Sequence, residues 1–179
     1  MKKIILLTLI LISQFSFSQI IEYDNFIYEN GKLSWQKIYK SNQIQKDLIL
    51  NFKKSGIIRE FESSENLITG IIEKSEIDYK GFGKSEMSTE MYISRSYLSC
   101  FITIELKENR YRITLTDLKL TQRYDDSFTK MGEMSELKDY AVKNNKSDFR
   151  SRFKKSSSKI LNFTYDKMFN LKNDNSDDW

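Results

Sequence analysis

Histidine and proline are missing from this 179-residue chain, cysteine occurs once, at Cys100, and glycine only six times. Each scarcity excludes something. Without histidine there is no His-based catalytic triad and no His-ligated metal centre. A single cysteine cannot close an internal disulfide. Without proline, turns rely on Gly, Asn, Asp and Ser. An excess of one charge is lacking too: 29 Lys and Arg stand against 25 Asp and Glu. Long-range attraction to nucleic acid or an anionic membrane is therefore weak. The longest apolar run, Ile4 to Ile12, is interrupted by Thr8 and is too short to span a bilayer.

That run instead carries the layout of an export signal. Lys2 and Lys3 precede it, and Ser16-Phe17-Ser18 follows, with small residues at the two positions a signal peptidase reads. No cysteine follows it to accept a lipid anchor. A signal peptide is expected over 1–18, with the mature chain starting at Gln19 and the protein periplasmic or extracellular. Removing those 18 of 179 residues leaves 161. Without Lys2 and Lys3, 27 basic residues face 25 acidic ones, a net of +2. Such a length suits one domain that buries roughly 70% of its unfolded surface, and 13% aromatics can supply the core. The domain is expected over 19–172. The acidic stretch "NDNSDDW" at 173–179 is expected to be a disordered tail.

Patterning sets an α+β order. Ile20 to Tyr28 reads as a first strand, "ENG" at Glu29 to Gly31 as a turn, and "KLSWQKIYK" at Lys32 to Lys40 as a second strand. A helix follows in "SNQIQKDLILNFKKSG". Ser41 or Asn42 can cap it, Ile44, Leu48 and Phe52 line one face, and Gly56 ends it. Strands then fit at Ile57 to Glu62 and Leu67 to Tyr79. "KGFGKSE" at Lys80 to Glu86 lacks the Lys-Ser/Thr ending and the strand-to-helix context of a phosphate loop. Arg123 to Met134 reads as a polar loop and Ser135 to Val142 as a short helix. A long helix is expected from Ser147 or Asp148 to about Lys172. Its apolar stripe holds Phe149, Phe153, Ile160, Phe163 and Leu171, with Leu161 and Met168 at the edge.

The densest signal is "FITIELKENRYRITLTDLKL", Phe101 to Leu120. Leu98, Cys100, Ile102, Ile104 and Leu106 alternate along one strand, and Tyr111, Ile113 and Leu115 along the next. A two-residue turn at Glu108-Asn109 sets Leu106 opposite Tyr111, Ile104 opposite Ile113 and Ile102 opposite Leu115, so one face is wholly apolar. The other face then pairs Glu105 with Arg112, Thr103 with Thr114 and Phe101 with Thr116, each pair worth about 0.2–1 kcal/mol. A three-residue turn sets Ile104 against Arg112 and buries charge, so parity rejects it. A four-residue turn keeps the same parity. Asn109 tolerates the positive φ such turns require. Cys100 falls on the core face, where a thiol acts as a small hydrophobe.

The segments "NGKLSWQKIYKSNQIQKDLILNFKKS" and "ITIELKENRYRITLTDL" resemble the domain of unknown function 4468. Those are exported proteins of Bacteroidota with a fold likened to the TATA-binding protein. The likeness spans about Phe26 to Leu120 and is most specific at Lys107-Glu108-Asn109-Arg110-Tyr111-Arg112 and around Trp35. Family members often carry glycine where Asn109 stands. The resemblance implies a curved antiparallel sheet with helices on one face, one after the second strand and a long C-terminal one. It implies no activity, and a shared fold does not bring DNA binding with it.

Three groups of residues bear on function. The polar ribbon face, Phe101, Thr103, Glu105, Arg112, Thr114 and Thr116, reads either as a solvated sheet face or as a shallow surface for a protein, peptide or glycan. Phe101 is then the apolar anchor and Arg112 the charged contact. The basic residues Arg150, Arg152, Lys154, Lys155 and Lys159 read as a solvated helix face, since interleaved acids and near-neutral charge argue against phosphate tracking. Paired carboxylates are the natural catalytic chemistry without histidine, yet no pair has a distinctive spacing. Glu105 is committed to Arg112, and a carboxylate so paired is a poor proton donor. "DNSDD" lacks the glycine and final glutamate of a calcium loop. The residues therefore favour a non-catalytic binding module of the cell envelope, with no cofactor, no metal and no nucleic acid. A carboxylate-dependent hydrolase of envelope glycans or peptides is the alternative, and a structural subunit of an envelope assembly a third.

Overall fold

The computed structural model describes residues 20–126 and 129–171. The expected signal peptide and acidic tail lie outside them. Among the described residues eight strands form one sheet: β1 (Ile21–Tyr23), β2 (Phe26–Glu29), β3 (Lys32–Lys40), β4 (Arg59–Ser63), β5 (Leu67–Glu76), β6 (Ser96–Lys107), β7 (Arg110–Gln122) and β8 (Met134–Glu136). Their order is β1-β2-β3-β7-β6-β5-β4, with β8 also paired to β7. Every pair is antiparallel. Helices α1 (Gln45–Ser55), α2 (Met91–Ser94), α3 (Leu137–Ala141) and α4 (Ser158–Phe169) complete the α+β fold.

The long ribbon has the expected register. Lys107 pairs Arg110, so Glu108-Asn109 is the turn, and Asn109 takes φ +58°. Leu106, Ile104 and Ile102 meet Tyr111, Ile113 and Leu115, all six buried. Beyond them a bulge separates Ser99↔Lys119 from Phe101↔Thr116, with Asp117 at φ +53°. That extra residue returns Leu118 and Leu120 to the core face. Cys100 is buried beside the bulge, and burial pushes its thiol up to about 12.

Scarce glycine and absent proline show in the backbone. Positive φ falls on Asp24, Asn30 and Asn109 at turns and on Glu60, Lys74 and Asp117 within strands. Asp24-Asn25 corrects one expectation: Ile20 to Tyr28 is not one strand but two, folded back with Tyr23 on Phe26. At α1, Gly56 closes the helix in the left-handed region as expected. Its start differs, because Ile44 is the N-cap and stays exposed, while Ser41 accepts a hydrogen bond from the Gln43 N–H.

The helices cover one side of the sheet. Phe52 of α1 meets Tyr111 edge-on at 5.6 Å, and Tyr165 of α4 lies 4.8 Å from Trp35. The long C-terminal helix departs from the expected stripe. A π-helical turn, Phe153–Ser157, precedes α4, and Phe149 sits ahead of it, bridged to Val142. One extra residue in that turn rotates everything beyond it. Leu161, Tyr165 and Phe169 therefore become fully buried, whereas Phe163 and Leu171 are only half-buried.

Candidate functional site

Strand parity that buries one face leaves the other open. The open face forms rows running across the strands, because antiparallel partners point to the same side. One row is Ile38 (β3), Arg112 (β7), Glu105 (β6) and Leu67 (β5). The next is Gln36, Thr114, Thr103 and Thr69. A third runs Thr116, Phe101 and Ile71. All six residues singled out from the ribbon thus share one surface.

Arg112 and Glu105 form a two-pronged ion pair: Nε donates to Oε2 and Nη2 to Oε1, both at 2.6 Å. Gln36 Nε2 donates to Thr114 Oγ1 at 3.0 Å. Phe101 remains 42% exposed and Ile38, opposite Arg112, 58%. Leu67 is exposed beyond Glu105. The described parts of the loop after β7 bond elsewhere: the Arg123 N–H donates to the Arg95 carbonyl, its guanidinium to Glu76, and the Gln122 amide N–H to the Glu133 carbonyl. These contacts lie at the end of the ribbon away from its turn; of the six residues Phe101 and Thr116 are exposed and the other four half-buried.

The sequence did not single out Ile38, Leu67, Ile71 or the Gln36 row. Period two within "KLSWQKIYK" offers a signal, since Leu33, Trp35 and Tyr39 are buried and Ser34, Gln36 and Ile38 alternate with them. The Lys37–Ile38 pair obscures it by placing the charge on the core side. Lys37 escapes burial by reaching Asp166 of α4 at 2.6 Å.

Beside Ile38 and the Arg112–Glu105 fork is a hollow of about 140 Å³, lined also by Lys107, Arg110 and Tyr111. It is a shallow depression, not a cleft between facing carboxylates. Among the described residues no group of three or more Cys, Asp and Glu side chains is placed to hold a metal ion, and no helix is long and apolar enough to cross a membrane.

Of the basic residues near the C-terminus, Arg150, Arg152, Lys155 and Lys159 are exposed, as expected of a solvated face, and Lys154 is half-buried. Arg150 donates to the Val142 carbonyl and to Asn144, and Lys154 reaches Asp148 at 2.7 Å while lying over the Tyr23 ring. Lys154 holds the Asp148 carboxyl below its ordinary range. Arg152 lies 3.9 Å from Glu90. These contacts brace the segment before α4.

No family model matches the chain, and no curated protein matches it. Two solved structures are similar to it. One is a TBP-like protein from Parabacteroides distasonis ATCC 8503, 16% identical, with a TM-score of 0.48 over 80% of this chain and 94% of that one. The other is a DUF4468 family protein from Bacteroides ovatus ATCC 8483, 15% identical, with a TM-score of 0.45 over 76% of this chain and 83% of that one. The second belongs to the family that the ribbon and the opening around Trp35 resemble. Neither carries a residue's role to this chain.

Proposed function

We propose that the protein is an exported, non-catalytic docking module of the cell envelope, and that its open sheet face binds a segment of another protein. The observation that carries this is the mixture on that face: exposed Ile38, Phe101 and Leu67 stand around the Arg112–Glu105 fork and rows of hydroxyls. Apolar anchors ringed by oriented polar groups suit a protein surface. A glycan partner is less well served, since Phe101 is the one aromatic in the three rows. The hydrolase alternative finds little support, because Glu105 has both oxygens held by Arg112.

Export rests on the amino-terminal pattern, and intact-mass measurement of protein recovered from cells tests it. A mature chain starting at Gln19 is expected; a mass that retains Lys2 and Lys3 removes the envelope setting. Docking is tested by a photo-crosslinking residue at Thr103, with Lys159 as the control position. A defined adduct is expected from Thr103 alone. Phe101→Ser or Arg112→Ala should abolish it, and Arg112→Ala should change stability by only about 0–1 kcal/mol, since its ion pair with Glu105 is reached by solvent. An adduct that survives both substitutions leaves the face an ordinary solvated surface.

A further inference from the structure

Next to the Ile38–Arg112–Glu105 row, towards the ribbon's turn, lies a row of three cations. Lys40 pairs Arg110, and Arg110 pairs Lys107, so like charges stand directly opposite one another on three adjacent strands. All three are exposed, on the open face. Their parity is that of Ile38, Arg112 and Glu105, opposite to buried Tyr39, Tyr111 and Leu106. Among the described residues none of the three has an ion pair, whereas the next row is an opposite-charge fork. The nearest carboxylates along the strands are Glu105, taken by Arg112, and Glu108 in the turn.

Like charges directly opposite in a sheet are destabilising. Here two such contacts occur in succession, beside the hollow formed by Ile38, Arg112, Lys107 and Arg110. Neighbouring strands lie about 4.8 Å apart, so the cations span roughly 10 Å. That line is long enough to meet two or more carboxylates of one chain. Exposed Ile38 adjoins it, so an occupant that brings acidic groups to the row can set an apolar side chain on Ile38 in the same pose.

We propose that this row is the acidic-segment subsite of the docking face: the bound protein segment presents Asp or Glu to Lys40, Arg110 and Lys107 and apolar residues to Ile38. The inference rests on the docking reading above and adds the charge of the partner. Its partner supplies the counter-charge that the fold omits, which steers encounter and fixes orientation.

The test uses a synthetic peptide joining a run of Glu to a run of Val and Leu, and a twin with Gln in place of Glu. Binding to the full chain is measured by calorimetry at low and high salt, with inorganic phosphate and anionic vesicles as separate arms. The acidic peptide is expected to bind about tenfold tighter than its twin at low salt and to lose that margin at high salt. Arg110→Gln should erase the difference. Arg110→Glu, which turns both like-charge contacts into opposite-charge ones, should abolish acidic-peptide binding and raise the melting temperature by roughly 2–4 °C. Equal binding of the twins overturns the acidic subsite and leaves docking standing. No binding of either overturns the subsite and counts against docking. Tighter binding of phosphate or vesicles, or a lowered melting temperature in Arg110→Glu, also overturns the subsite.

Discussion

Trp35→Ala is expected to remove about 3–5 kcal/mol of stability, the usual range for deleting a large buried aromatic. A small domain has roughly 5–15 kcal/mol in total, so the variant should be partly unfolded in mild urea. Trp35 is fully buried at the meeting of three elements. It pairs with Phe26 on β2 and Leu115 on β7, and its ring lies 4.8 Å from Tyr165 and 6.3 Å from Phe169 of α4. Its Nε1 donates to Asn162 Oδ1 at 2.6 Å, an oxygen that also accepts from Asn25 Nδ2. Trp35→Phe separates packing from polarity. It retains most of the ring contact, and Asn162 keeps the Asn25 donor, so a loss of about 1–2 kcal/mol is expected. Urea unfolding followed by far-ultraviolet circular dichroism reads both. An alanine variant that melts within 1 kcal/mol of the parent, on the order of a surface change, contradicts this view of the core.

The parts legible in the sequence are those where local period and tertiary environment agree. The β6–β7 ribbon alternates without interruption from Ile102 to Leu106 and from Tyr111 to Leu115, so parity alone selected its register and placed all six candidate residues on one face. What was not legible came from single-residue insertions and from partners distant in sequence. The π turn at Phe153–Ser157 turns the last helix so that Tyr165 and Phe169 face Trp35, and a 100° wheel has no signal for it. The Asp24-Asn25 turn divides a run that alternates well enough to pass for one strand. The cation row needed the pairing of β3 with β7. Lys40 is seventy positions from Arg110, and no local pattern brings them together. The fold was therefore largely readable, while the surface assembled from separate strands was readable only within one hairpin.

Gly70→Val should be the most damaging single change on the sheet, through over-packing instead of a cavity. Gly70 lies in β5, opposite Ile102 of β6. A Cβ built there meets Ile58 Cγ2 at 2.3 Å and the Arg59 carbonyl oxygen at 2.6 Å. The first contact can yield by side-chain rotation; the second is backbone and cannot. The cause lies in β4, where Arg59 pairs Ile71 and Glu62 pairs Thr69, so three steps on β4 match two on β5. Glu60 takes φ +47° within that bulge, and the chain folds closely over Gly70. Even Gly70→Ala must push β4 away from β5 or flatten the bulge, at about 1–3 kcal/mol or more. Valine adds two methyl groups to the same gap. Loss of cooperative urea unfolding is expected for valine, and a lowered midpoint for alanine. Hydrogen exchange separates the mechanisms: alanine should lose amide protection first in β4, with the β6–β7 ribbon protected until global unfolding. If Gly70→Ala melts with the parent and β4 keeps its protection, the close approach of β4 over Gly70 is wrong.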